Sequence, residues 1–343
     1  MKFSICLPTY KGAHVLGMAL EGIFNQDYQD FEILIGDDNP PDALEHRQAT
    51  QDVVSRFDQS RIRYIANERN LGYALNLKNL VTQASGEIIY LFAQDDILAK
   101  GALRKTYEAF AHDPDVGVVT RPYFWFMEDI RRPVRAVTPY DPKRDTVLTL
   151  KDGKKAFFKI FESVGQLSGL AYRRAFLTVP FHEDVFPAHI YPFAGILRRH
   201  KCVFLKDYVV AIGIQESQTR FVSGIYDRSP TQSWLDMYDS VFSGAAYAEA
   251  RRWGYEHICT NFMGLVQLRS YAHSGILERE ITLLARRWPQ NMINPRFWFF
   301  AFGTCLMPRT WLQNLVDRYK SSVHAKGLPA ISFEPAALVA NSK

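Results

Sequence analysis

Cysteine is scarce in this 343-residue chain, and its four copies (Cys6, Cys202, Cys259, Cys305) lie far apart with no C-x-x-C pair. That spacing excludes a disulfide framework or a zinc ribbon and fits reduced, structural thiols. The nine histidines never fall at H-x-x-x-H spacing, which removes the helical histidine metal site. Neither G-x-x-x-x-G-K-[ST] nor G-x-G-x-x-G occurs near a strand pattern, so the Walker ATPase and the dinucleotide-fingerprint classes lose their main support. Long apolar runs are missing as well. The longest, residues 297–307, covers 11 positions and is broken by Gly303 and Thr304, whereas a membrane-crossing helix needs roughly 20. The opening residues run straight into a strand pattern without a signal peptide's apolar region, so the expected location is the cytoplasm.

Hydrophobic residues make up 47% of the chain and charged ones 22%, enough to bury a sizeable core. Charge is unevenly spread. Residues 251–343 hold 12 Lys/Arg against 5 Asp/Glu, so the net +5 of the chain leaves the first 250 residues slightly negative. A basic, aromatic C-terminal region (Arg286-Arg287-Trp288, then Arg296 through Phe300, Arg309, Trp311, Lys320) suits the headgroup layer of an anionic membrane on the inner face of the cell. The same composition also describes a helical subdomain with aromatics packed inward and a solvated basic face. Nucleic acid is not expected as a partner.

Over residues 1–120 strand and helix patterns alternate. Strands are expected at 3–7, 31–35, 62–65, 87–92 and 116–119, with helices between them. Such βαβ units imply a mostly parallel, twisted sheet flanked by helices. Ligands bind beyond the carboxyl ends of such strands, and Pro8-Thr9-Tyr10, Asp37-Asp38 and Asp95-Asp96 each stand at one. Prolines at 122, 133, 139, 142, 180, 187 and 192 predict short strands and turns over 121–225. From about 232 the chain reads as helical, and after Gly327 as a loose tail. The expected organisation is therefore 1–120 as a ligand-binding half, 121–225 as the remainder of that domain, and 226–343 as an extra helical region.

Asp95-Asp96 carries the most chemistry. Two adjacent carboxylates after an apolar strand repel and resist desolvation unless a cation compensates. A divalent ion completed by phosphate oxygens and water is the simplest such cation. A helix N-cap would explain one of these aspartates but not both. A carboxylate of Asp37-Asp38 could accept hydrogen bonds from a ribose or a base, or simply open an Asx turn into Asn39-Pro40-Pro41.

Taken together, Pro8-Thr9-Tyr10, Asp37-Asp38, Arg69-Asn70-Leu71-Gly72 and Gln94-Asp95-Asp96 resemble family 2 glycosyltransferases of the GT-A fold. The resemblance implies an inverting, metal-dependent transfer from a nucleotide sugar, most often UDP-linked, to a glycan or lipid-linked acceptor in bacterial surface polysaccharide synthesis. Within it, Pro8, Thr9, Tyr10 and Asp38 would meet the nucleoside, Asn70 and Gly72 would line its cleft, and Asp95 would reach the ribose or sugar. Asp96 would ligate Mn²⁺ or Mg²⁺. Arg220, in a polar segment from Gln215, would countercharge the diphosphate.

The catalytic base departs from the family pattern, because Ala188-His189-Ile190-Tyr191-Pro192-Phe193 contains no carboxylate where one is expected. The candidates are Asp184, favoured, then His189, with Glu183 beside them. Loss of the base would leave a nucleotide-sugar or glycan binding module. Metal-dependent nucleotidyl transfer is a further alternative, with Lys11-Gly12 as its only trace of a phosphate loop.

Overall fold

The computed structural model describes residues 1–184, 186–214, 223–273, 275–319, 328 and 330–337. They divide into two compact units, 1–215 with 328–343, and 216–327.

The first unit opens with the expected alternation: β1 (Phe3–Thr9), α1 (Ala13–Phe24), β2 (Phe31–Asp37), α2 (Leu44–Val54), β3 (Ile62–Ala66), α3 (Tyr73–Gln83) and β4 (Ile88–Leu91). Strands β3, β2, β1 and β4 lie side by side and parallel. Phe3, Ile5, Leu7, Ile33, Ile35, Ile88 and Tyr90 are fully buried, as parallel strands covered on both faces must be. The register sets Thr9 beside Asp37 and Cys6 beside Leu91, so the polar ends of β1, β2 and β4 emerge on one edge.

Beyond β4 come β5 (Ile97–Leu98), α4 (Ala102–His112), β6 (Val116–Thr120), β7 (Tyr123–Phe126), β8 (Arg135–Val137) and β9 (Thr146–Leu148). Then follow α5 (Gly153–Ser163), β10 (Ala171–Arg173), α6 (Ile190–Leu197), β11 (Lys201–Phe204) and β12 (Val210–Gly213). The main sheet has eight strands in the order β3-β2-β1-β4-β10-β6-β11-β9, with β10 inserted antiparallel between β4 and β6. A second sheet runs β5-β12-β7-β8. This is the α/β, helix-flanked GT-A architecture expected of the sequence.

Two features differ from the sequence expectation. Residues 121–225 hold two helices besides short strands. Helix α5 buries Ala156, Phe157, Ile160 and Phe161, a helical spacing that the surrounding prolines obscure. Helix α6 accommodates Pro192 in its first turn, where a missing N–H costs nothing. The segment after Gly327 is not a loose tail where it is described. Ala336 N–H donates to the Leu98 carbonyl (2.8 Å), Lys100 N–H donates to that of Glu334 (2.8 Å), and Phe333 packs edge-on against Phe124.

The second unit is helical: α7 (Pro230–Val241), α8 (Ala248–Cys259), α9 (Met263–Tyr271), α10 (Ile276–Arg287), α11 (Pro295–Leu306) and α12 (Arg309–Tyr319). Ser229 caps α7 by accepting the Gln232 N–H (3.0 Å), with Pro230 at the first helical position. Buried Glu280 on α10 receives the Ser229 hydroxyl and the Thr231 N–H, which ties α10 to the start of α7. Helix α9 packs against α10, α11 and α12.

Candidate active site

The edge of β1, β2 and β4 is organised by side-chain amides and carboxylates. Gln94 Oε1 accepts the Tyr10 N–H (3.1 Å) and the Thr9 hydroxyl, which pins the end of β1 to the turn after β4. A side chain at Gly12 would meet that Gln94 amide and force it to move. Thr9 and Tyr10 thus meet the Gln94-Asp95-Asp96 turn, and Pro8 lies on β1 beside Gly36.

Asp37 is fully buried and holds Asn39 through its backbone N–H (2.9 Å) and amide (2.7 Å), with Tyr64 donating to its other oxygen. Asp38 is buried too. Its Oδ1 accepts from Asn67 Nδ2 (2.9 Å) and Leu71 N–H (2.7 Å), and its Oδ2 from Gly72 N–H (2.8 Å). The structure therefore brings Asp38, Asn70 and Gly72 together, since Asn70 Oδ1 accepts the same Gly72 N–H (3.0 Å). Gly72 has φ +76°, a left-handed conformation suited to glycine, and it precedes α3. Neighbouring Asn76 donates to the Gly36 carbonyl (2.8 Å) and accepts from Asn67 (3.0 Å), which fixes β2 to this loop.

Asp95 is half-buried and Asp96 buried. Both Asp96 oxygens are held by protein donors: Oδ2 by the Ser168 hydroxyl and Oδ1 by Gly213 N–H (3.0 Å). Burial, and then the Asp95 charge beside it, raise the Asp96 carboxyl well above the usual range. Ser168 also accepts the Ala93 N–H (2.8 Å), so one hydroxyl bridges both ends of the acidic turn. Asp95 is the more accessible carboxylate of the pair.

Behind Ser168 stands Arg121, fully buried. Its guanidinium donates to the carbonyls of Ser163 (2.7 Å), Gln166 (2.8 Å) and Ser168 (2.7 Å), and lies over the Tyr123 ring. Burial lowers its pKa, and nearby Tyr123, Tyr90, Tyr172 and Asp96 offset part of that.

His189 reaches the same loop. Its Nε2 lies 2.9 Å from the Val164 carbonyl and its Nδ1 3.0 Å from the Tyr73 hydroxyl at the start of α3. A carbonyl only accepts, so the proton is assigned to Nε2 and Nδ1 accepts from Tyr73. Both nitrogens are committed, and burial lowers the ring's pKa to about 4. Glu183 is exposed and paired with Lys78 (3.2 Å). Asp184 is mostly buried, with its N–H on His182 Nδ1 (3.1 Å) and its carboxylate 3.6 Å from that same nitrogen. Arg220 lies outside the described residues.

Ser168, Arg121, Tyr73, Val164 and Gly213 were not singled out from the sequence. Four of them act through one backbone carbonyl, one N–H or one hydroxyl, which leaves no residue-type signature. Arg121 directly after an apolar strand was the one signal available, because a charge there needs internal acceptors.

Among the described residues no group of three or more His, Cys, Asp or Glu could by itself hold a metal. The crowded Asp95-Asp96 pair, hard in its donors and strained in its charge, nonetheless fits a hard dication that takes its other ligands from phosphate and water.

Residues 4–168 match the family described as Glycosyl transferase family 2. Over 118 residues the chain is 36% identical to the GalNAc(5)-diNAcBac-PP-undecaprenol beta-1,3-glucosyltransferase of Campylobacter jejuni, covering 32% of this chain and 36% of that protein. The chain spans about a third to a half of the length of the curated relatives it matches. Among solved structures, S. aureus TarS 1-349 in complex with UDP-GlcNAc superposes with TM-score 0.58 at 14% identity, over 95% of this chain and 92% of that one. The mannosyltransferase PcManGT of Pyrobaculum calidifontis, in complex with GDP-Man and Mn²⁺, gives 0.54 at 14% identity, over 92% and 86%. At these identities the structural likeness concerns the fold.

Proposed function

We propose that this chain, whose residues 4–168 match the family 2 glycosyltransferases, transfers a sugar with inversion from a nucleotide sugar, UDP-linked, to a lipid-linked glycan acceptor of bacterial surface polysaccharide synthesis. The observation that carries this reading is that Asp38 follows β2 and Asp95-Asp96 follow β4 at one carboxyl edge, on either side of β1 with its terminal Thr9. Crevices in open α/β sheets bind nucleotides at such an edge. The relatives named above add support, since one acts on an undecaprenol-linked glycan and two structures hold nucleotide sugars.

In this reading the loop 67–72, clamped by Asp38, forms one wall of the nucleoside cleft, and Thr9 and Tyr10 form its floor. A bound Mn²⁺ or Mg²⁺ would be held by Asp95 and Asp96 and would neutralise charge on the departing diphosphate. Asp96, fixed on both oxygens, orients the turn, and Asp95 offers its carboxylate to the donor. Inversion needs a group that takes the proton of the attacking hydroxyl. We assign that role to Asp184, whose carboxylate lies 3.6 Å from His182 Nδ1, rather than to Glu183, which pairs with Lys78, or to His189, whose lone pair is occupied by Tyr73.

A thermal-shift panel of UDP- and GDP-sugars with and without Mn²⁺ tests this. The expected result is a donor that stabilises the parent only with metal, with that increment lost in Asp95→Asn. Asp95 is the better probe, because Asp96→Ala would also release Ser168 and Gly213. A metal-independent shift, or one that Asp95→Asn keeps, overturns the metal assignment. Binding without donor hydrolysis or transfer would instead favour a nucleotide-sugar binding module.

A further inference from the structure

Between Glu280 and Asp317 the helical unit contains four arginines and no carboxylate. Helix α11 lies within that stretch. Its inner stripe, Phe297, Ala301 and Thr304, is buried, and Phe262 packs on Phe297 with ring centroids 5.6 Å apart. Its outer stripe is apolar as well. Phe299, Phe302 and Leu306, spaced as one helix face, are 72%, 57% and 82% exposed. Just before the helix, Met292 and Ile293 are exposed too. Trp298 links the two segments by donating its indole N–H to the Met292 carbonyl (2.8 Å) and stacking on Phe302 (5.2 Å). Arg286, Arg287 and Arg296, all exposed, stand next to these segments in the sequence, and Arg287 also donates to Gln232 (3.3 Å).

A surface helix normally turns a polar face to water. Here the core-facing stripe is already buried, and among the described residues Phe299, Phe302 and Leu306 stay more than half exposed, with ring contacts only to Phe300 and Trp298 of their own helix. We propose that the outer face of α11, with the turn at residues 292–293, docks into the headgroup layer of an anionic bilayer. Aromatic and leucine side chains suit the boundary between headgroups and acyl chains, and arginines beside them pair with lipid phosphates. No described helix is long and apolar enough to cross a membrane, so the helix would lie in the interface plane. A second copy of the chain is the poorer occupant. Self-docking of this face would set arginines against arginines, because residues 281–316 carry no carboxylate.

This inference goes beyond the transfer reading and does not depend on it, because docking is measured with no donor or acceptor present. The full chain would be floated with vesicles of phosphatidylcholine alone and with vesicles that also contain phosphatidylglycerol. Flotation is expected only with the anionic vesicles. Phe299→Ser/Phe302→Ser/Leu306→Ser should weaken it by about tenfold or more, and Arg286→Gln/Arg287→Gln/Arg296→Gln by roughly a hundredfold at low salt. The arginine variant keeps the apolar stripe, so the test stands even if the serine variant folds poorly. Absence of flotation, equal flotation with neutral vesicles, or binding that both variants retain would overturn the proposal. So would a dimer, seen by light scattering, that the serine variant converts to monomer while neither protein binds vesicles; that outcome assigns the face to a second copy.

Discussion

Acidification from about pH 7 to pH 4 should cost the first unit stability through His189, and the size of that cost follows from its surroundings. The buried ring is held neutral between the Tyr73 hydroxyl and the Val164 carbonyl, with its pKa lowered from 6.5 to about 4, first by burial and further by Arg121. In the unfolded chain the imidazole takes up a proton near pH 6.5, whereas in the fold it resists until about pH 4. The unfolded state therefore binds more protons across that window, and stability falls as the pH drops through it. Above pH 6.5 the contribution is complete, and below pH 4 the loss levels off. At about 1.4 kcal/mol per unit, the loss is about 3 kcal/mol.

The assay is a series of urea titrations of the parent and His189→Gln between pH 7.5 and 4. Glutamine can still donate to Val164 but loses the Tyr73 bond, so the variant should be about 1–2 kcal/mol less stable at neutral pH. It carries no proton-linked loss at this position. The parent's advantage should therefore shrink steadily below pH 6.5 and vanish or reverse by pH 4. His257, also buried with a pKa lowered to about 4, adds the same slope to both proteins and cancels in the difference. Parallel curves for parent and variant would refute the burial argument. They would also reopen a role for His189 as a proton acceptor, because a ring that titrates freely near pH 6.5 must have its Nδ1 lone pair available.

Ser168→Ala removes the hydroxyl shared by Asp96 and Ala93 N–H and should cost about 2–3 kcal/mol in a denaturant titration; a cost below 0.5 kcal/mol would contradict the bridge. Arg121→Met strands three buried carbonyls and should cost about 3–5 kcal/mol, read as a Tm drop, and an unchanged Tm would disprove the clamp. Burial alone would raise the Glu32 carboxyl, but hydrogen bonds from Ser4, Ser85 and Lys2 outweigh it and hold its pKa at about 2. Its contribution, about 1–2 kcal/mol after solvent screening, is present above pH 4.5 and lost as the pH falls towards 2, so Glu32→Gln should differ from the parent at pH 6 and match it near pH 2. A methyl group at Gly213 would sit 2.7 Å from the Asp95 carbonyl oxygen. Gly213→Ala should therefore displace the acidic turn and reduce metal-dependent donor stabilisation severalfold, and a full thermal shift in that variant would show the turn to be pliable.

What the sequence made legible was whatever repeats or runs. Apolar runs such as Ile88 to Leu91 marked the parallel strands, because burial on both faces leaves no polar position to blur them. The acidic pairs were visible because two adjacent carboxylates after such a run are expensive without a purpose. What stayed hidden was how those acids are held. Asp38 answers to two backbone N–H groups in a loop 33 and 34 positions away, and Asp96 to a serine 72 positions on and a backbone N–H 117 positions on. Such partners are chosen by topology, since β10 enters antiparallel beside β4 and carries the loop that ends in Ser168 to the acidic turn. The same insertion explains His189. Read along the chain it is a polar residue ahead of an apolar stretch, but Tyr73 and Val164 enclose it only once α3 and the loop after α5 have packed. Residue type therefore identified which groups could bear charge or protons, while long-range packing decides which of them remain accessible for chemistry. By that criterion Asp95 is the group to substitute first, and Asp96 and His189 the ones whose loss should register in stability before it registers in turnover.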